Sequence, residues 1–309
     1  MPSEQVLTEL AADRAAVQAR ERAARRRARA AASPYRRVWV AALAAGQRTV
    51  SGTLAGEAAR EWARSRRASQ AAIETAMAQG AARGELSALR LLEAAGLGRG
   101  EGQVGREVVA ELTAEGSRLS RLLDRRFADS GVGGPEQVGR LLESGFADGL
   151  SPQEVTRQVL REVDAGVRST ERIARTEMMR AHRETNRSVF QERDGVTGWR
   201  WVVDESARTC AVCWGLYGEV YPTSAEFPAH PNCRCRMVPV LDDPEADRLV
   251  APDDKNTAFA RLSPEEQRQV LGPGGYDKWQ AGTGLDEFAT VTRDPVWGPT
   301  AVRVPNSRL

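Results

Sequence analysis

A chain of 309 residues with 44 basic and 42 acidic side chains carries a net charge of only +2, so no overall field marks it for a polyanion or a membrane surface. Hydrophobic residues at 41%, aromatics at 6% and a mean hydropathy of -0.46 argue against one large apolar globule and favour a helical body around a smaller compact core, in about two domains. No run approaches the roughly 20 apolar residues of a membrane span and the N-terminus lacks the apolar core of a secretory signal, so the expected setting is cytoplasm.

Charge is uneven along the chain, with nine arginines against four acids up to residue 40 and twelve acids against eight basic residues from Asp242 onward. Lys255 and Lys278 are the only lysines; alanine and glycine are also abundant, so coding bias accounts for the arginines, and arginine runs alone are weak grounds for phosphate recognition.

Residues 3–32 are strong helix formers with Ser3 at the N-cap position, and nothing interrupts them before Ser33-Pro34, which predicts a long helix ending there. After Leu10 its apolar face is mostly alanine, which offers little area to bury, so the helix is expected to project or to pack on a partner. Arg25-Arg26-Arg27-Ala28-Arg29 suits nucleic-acid phosphate or an acidic protein surface, against the plainer reading of a solvated charged face.

Residues 35–95 continue as helix, with Val38, Trp39, Leu43, Trp62, Ile73, Met77, Leu86, Leu89, Leu91 and Leu92 as expected core and glycines at 46, 52, 56, 80 and 84 expected to cut the run into shorter pieces. The glycine-dense stretch 96–102 lacks the Lys-Ser/Thr ending of a phosphate-binding loop and reads as a hinge. Residues 107–127 suit an amphipathic helix ended by 130–135, and a short helix follows through Val138, Leu141, Leu142 and Phe146. Ser151-Pro152-Gln153-Glu154 is a capping box opening a helix toward Arg161. A charged helix is expected over 168–193, with His182 on its polar face; Asp194-Gly195 reads as a turn and Trp199 to Val203 as a strand.

All four cysteines and one of two histidines then fall within residues 204–240. Cys210 and Cys213 have the C-x2-C spacing of thiolate zinc sites, and His230, Cys233 and Cys235 come after them, so five candidate ligands compete for four tetrahedral positions. Four protein ligands leave no place for water, which predicts a structural zinc that staples a loop-rich unit with little core of its own. The competing readings are reduced, unmetallated thiols or two disulfides formed outside the cell. A catalytic alternative, a metal-dependent nuclease or hydrolase, would have His230 activate water with Asp204, Glu205 or Glu226 assisting. Neither the HExxH motif nor the HxE and PCxxC pair of zinc deaminases is present. A zinc-ribbon DNA reader would want basic surroundings, whereas 204–226 holds one arginine and four acids.

Three motifs carry a family resemblance: Ile173-Ala174-Arg175-Thr176-Glu177 on a helix, the Thr209-Cys210-x2-Cys213 turn, and His230-Pro231-x-Cys233-Arg234-Cys235. Together they resemble the phage minor head proteins of the Mu F-like head morphogenesis family, over about residues 140–242. The segment Ser263 to Gly272, with Tyr276 and Trp279, is similar to the stretch immediately C-terminal to that region in such proteins. The resemblance implies a low-copy, non-enzymatic structural component of the virion, in the capsid interior or at the portal vertex, assembled in host cytoplasm. Its implied partners are the portal protein, phage DNA, and scaffold or major capsid protein, with no membrane.

The expected architecture is mainly α: a basic helical arm (1–32), a helical region (33–135), a small α+β domain with a Cys/His-stapled hairpin (136–242), and a partly ordered tail (243–309). In that tail only a helix near Pro264 to Leu271 is expected to pack back, with 293–309 loosely ordered. Arg175 and Glu177 are expected in an ion-pair network tying their helix to the cysteine unit.

Overall fold

The computed structural model describes residues 3–98, 104–114, 134–294 and 298–309. It is mainly α, with a small sheet region after the helices, as the sequence predicts. Contacts divide the chain into two compact units. The first, the helical unit, comprises Ala19–Met77 and Leu112–Met178; the second, the cysteine unit, comprises Met1–Gln18, Ala78–Glu111 and Met179–Leu309.

The first long helix, α1 (Glu4–Ala44), does not stop at Pro34 but runs through it. An interior proline costs about 3 kcal/mol in a helix. The next turns offset this by burying Tyr35, Val38, Trp39 and Ala42 in the core of the helical unit. Nor does the alanine face stand free, since Ala24 and Ala28 are fully buried. Small side chains bury little area themselves but let a neighbouring backbone come close.

α2 (Gly52–Ala94) is likewise one helix and not several, with Gly56, Gly80 and Gly84 inside it. Gly84 is there for close approach: a Cβ would lie 2.3 Å from the His182 carbonyl oxygen. Asn186 bridges the same contact, its side-chain amide donating to the Gly84 carbonyl at 2.9 Å.

α3 (Val104–Thr113) is the described part of the helix predicted over 107–127; the rest of that helix, most of the glycine hinge and the turn at 130–133 lie outside the described residues. α4 (Pro135–Ala147) supplies Val138 and Leu142 to the helical unit's core, and α5 (Pro152–Gln191) supplies Val155, Val159 and Val163. The capping box is present, with the Ser151 amide donating to Glu154 at 2.9 Å and the Glu154 amide to the Ser151 hydroxyl at 3.3 Å. No break separates the two helices expected at 152–161 and 168–193; α5 spans both.

In the cysteine unit, β1 (Val196–Val202) is the middle strand of an antiparallel sheet between β2 (Val220–Pro222) and β3 (Arg236–Leu241). Register pairs Trp199 with Tyr221 on one side and Trp201 with Met237 on the other. A five-residue helix, α6 (Ala211–Gly215), lies between β1 and β2.

The C-terminal part is more ordered than expected. Four short helices, α7 (Pro244–Val250), α8 (Lys255–Ala260), α9 (Pro264–Leu271) and α10 (Pro273–Gln280), precede a hairpin of β4 (Ala289–Asp294) and β5 (Gly298–Arg303). Asp243, Asp254 and Ser263 each cap a helix with a side-chain oxygen. The hairpin is favoured by the β-branched residues Thr290, Val291, Thr292, Thr300 and Val302. Among the described residues no helix is long and apolar enough to cross a membrane.

Candidate metal centre

Cys210 is the N-cap of α6 and Cys213 lies one turn in, so a helix start brings the two Sγ atoms to 3.5 Å. The helix is held by its buried face: Trp214 packs edge-on against Phe259 at 5.0 Å and Tyr217 at 5.7 Å. Cys213 is buried, and Cys210 is the exposed member of the pair.

The other three donors come from the segment leading into β3. A turn closes from the Cys233 amide to the His230 carbonyl at 3.1 Å, with Pro231 second and Asn232 third at φ 66. Proline followed by a residue with positive φ is the pattern of a type II turn, and asparagine is the side chain other than glycine that best tolerates it. The turn sets His230 beside Cys233, and the chain continues through Cys235 directly into β3.

His230 Nε2 lies 3.3 Å from Cys210 Sγ and 3.2 Å from Cys213 Sγ, and Cys213 Sγ lies 3.8 Å from Cys233 Sγ. The donors form two overlapping groups, Cys210-Cys213-His230 and Cys213-Cys233-Cys235, each with its atoms within 4.8 Å of one another. Zinc bonds of 2.3 Å to sulfur and 2.0–2.1 Å to nitrogen make tetrahedral edges of about 3.8 Å between sulfurs and about 3.5 Å between sulfur and nitrogen. The observed separations are close to those edges.

The rest of the histidine ring agrees. His230 Nδ1 is 2.8 Å from the Pro231 carbonyl, an acceptor only, so Nδ1–H donates and Nε2 is the ring nitrogen beside the sulfurs. Metal-bound histidines are oriented by this kind of second bond.

Proton affinities differ across the cluster. The hydrogen bond with Cys213 is the largest influence on Cys210, whose thiol is drawn down to about 4. Burial alone would lower His230, but the Cys210 and Cys233 sulfurs raise it to about 11. Not every sulfur favours the thiolate: the hydrogen bond with Cys210 pushes Cys213 up and burial pushes Cys235 up, so an ion held by these sulfurs would have to displace their protons.

Arg183 of α5, which sequence reasoning missed, holds the loop. Its Nε donates to the Cys235 carbonyl and its Nη2 to the Cys233 carbonyl, both at 2.8 Å, while its guanidinium lies 4.7 Å from the Phe227 ring centre. Phe227 stacks on Trp201 at 4.0 Å and Trp199 at 5.2 Å, which joins the loop to β1. In the folded chain the buried polar residues Glu171, Arg175, His182 and Asn186 recur along one face of α5 as a polar seam, which residue types alone do not mark.

His182 is not on a solvated face but fully buried, 3.6 Å from Asp13, too long for a hydrogen bond. Asp13 is also bound by Arg83 at 2.7 Å and Arg236 at 2.8 Å. Burial works against its charge, but His182 and Arg236 hold its carboxyl far below the usual range. Arg175 meets Glu21 at 3.2 Å within the helical unit, and Arg183 of the same helix reaches the cysteine loop.

The carboxylates of the catalytic alternative are placed elsewhere. Asp204 pairs with Arg14 at 2.9 Å, and Glu205 accepts from the Tyr217 hydroxyl at 2.6 Å. Neither donor group includes Asp204, Glu205 or Glu226.

Residues 136–238 match the profile of a family described as Phage Mu protein F like protein. This segment is similar to that family. It covers about a third of the chain and takes in most of α4, all of α5, the β1–β2 region and all five candidate ligands. No curated protein and no solved structure matches the chain.

Proposed function

We propose that this chain is a phage minor head protein, a low-copy structural component acting at the portal in capsid assembly and in DNA packaging or delivery. The observation that carries the reading is the Mu F-like match, which contains both the buried face of α5 and the complete Cys/His cluster. On this reading the cluster is a structural zinc site and the chain is not an enzyme. Protein donors suffice to fill the coordination sphere, and the nearby carboxylates are engaged in ion pairs and hydrogen bonds instead of facing the cluster.

Zinc would draw its ligands from Cys210, Cys213, His230, Cys233 and Cys235 and close the segment between β1 and β3. The partners proposed are the portal protein first, then phage DNA through the arginines of α1, and scaffold or major capsid protein.

Four measurements test this. Purified phage particles should contain the chain in few copies, and a nonsense mutation in its gene should give defective heads that the intact gene restores. Affinity capture with the portal protein should retain the full chain. Normal, infectious particles formed without the chain would end the head-morphogenesis reading. Separately, the purified protein should carry about one zinc per chain by elemental analysis.

A further inference from the structure

A cavity of about 510 Å³ opens in the cysteine unit, lined by the start of α1, the end of β1 and the segment that joins α7 to α8. That volume is in the range of sites that hold a ligand. Its apolar lining includes Leu10, Val202, Val203 and Val250, and the three valines are buried.

The charge around the cavity is unbalanced. Asp13 is paired with both Arg83 and Arg236, and among the described residues neither arginine has a second carboxylate. One negative charge thus serves two buried guanidinium groups, and the surplus is positive. Arg83 Nη2 is buried without a partner, while Arg236 lines the cavity with only Nη1 engaged among the described residues, by the Leu10 carbonyl at 3.0 Å and Asp13 at 2.8 Å. Asp204 is likewise shared by two arginines, Arg14 at 2.9 Å and Arg208 at 3.6 Å, and Arg14 lines the cavity too. On the remaining wall the sign reverses, because Arg261 serves both Glu205 and Asp253. The sum is one positive charge, and Arg236 is where that charge is least hydrated.

We propose that this cavity docks a short peptide segment of a partner protein, with a carboxylate side chain beside Arg236 and Arg14 and apolar side chains against the valines. Leu7 argues for a peptide over a free acid. It lines the cavity yet is 50% exposed, which places it at the opening. A small acid held inside would leave Leu7 bare, whereas a chain leading out covers it.

The experiment presents the full chain to a library of random short peptides, with counter-selection on Ala11→Trp. Ala11 is an exposed lining residue of α1, so the indole fills the cavity without removing a buried contact. Recovered peptides should carry Asp or Glu flanked by Leu, Ile, Val or Phe. The tightest of them should lose about ten- to a hundredfold in affinity by calorimetry when its acid is replaced by the amide, the scale of a charge-assisted hydrogen bond. Arg236→Met should bind the acid and amide peptides alike, and Arg236→Lys should restore part of the difference. Circular dichroism identifies a variant that has failed to fold; Arg14→Met, at a half-exposed position, then reads the same preference and should reduce it. Recovery of no peptide, of peptides without an acid, or of peptides that Ala11→Trp holds equally well overturns the site. Octanoate bound in an Arg236-dependent way while no peptide is recovered overturns the peptide occupant and assigns the cavity to a free acid.

Discussion

The helical unit and the cysteine unit hold themselves together by different means. In the helical unit, Tyr35, Trp39, Leu142, Val155 and Val159 form an apolar core, with Tyr35 and Trp62 ring centres 4.9 Å apart. The cysteine unit buries charge and sulfur as well: Asp13 between two arginines, and three cysteines beside a histidine. Their charges also differ. Described residues of the helical unit hold 19 arginines and 12 acids, those of the cysteine unit 20 basic and 26 acidic residues. A near-neutral total therefore conceals two fields of opposite sign, and only the basic unit has the sign that attracts phosphate.

The sharpest way to separate the two modes is to disable one. On the proposed zinc reading, Cys213→Ser or a chelator should abolish bound zinc and forfeit most of the metal-linked folding energy, which reaches about 10–16 kcal/mol in small zinc domains. Hydrogen exchange should then rise across β1, β2 and β3 while amides around Trp39 stay protected. Equal loss of protection in both units would break the contrast.

Asp13→Ala should destabilise the cysteine unit by about 3–5 kcal/mol, because it strands the buried Arg83 and Arg236 charges. The same group sets an acid dependence. Its folded pKa is depressed, so its contribution is fully present above the unfolded value near 3.9 and is lost as pH falls below it toward the lower folded value. Unfolding measured between about pH 5 and 2 should be steeper for the wild type than for Asp13→Asn.

Leu142→Ala, in the core of the helical unit, should cost about 2–5 kcal/mol, and by an amount that chelation does not alter. Smaller still, Ser151→Ala should cost about 1 kcal/mol through loss of the cap on α5. Smallest is Glu171→Gln. Although its carboxylate meets Arg25 and Arg29 at 3.2 and 2.8 Å, both arginines are largely exposed, and about 1 kcal/mol or less is expected in thermal melts.

Local chemistry was legible in the sequence wherever a short pattern has one physical meaning. The capping box at Ser151, the helix at Pro264–Leu271, the strand of alternating tryptophans and the five clustered metal-ligand residues could all be read from neighbouring residues alone. Each depends on contacts spanning at most a few tens of residues. The mainly helical class followed from composition and periodicity for the same reason.

Helix lengths were not legible, because Pro34 and the glycines of α2 signal breaks that packing overrides. Tyr35 and Trp39 anchor one helix past its proline, and Gly84 serves a neighbouring backbone instead of ending its own helix. Nor could the sequence separate His182 and Arg183 from the many charged residues of α5. Which side chains face inward depends on partners far away in the chain, Asp13 for one and the carbonyls of Cys233 and Cys235 for the other. Residue types and spacing were enough to name the side chains able to bind metal. That Cys213 lies at their centre is a property of the folded chain, because only the closed turn at 230–233 brings the two halves of the cluster together.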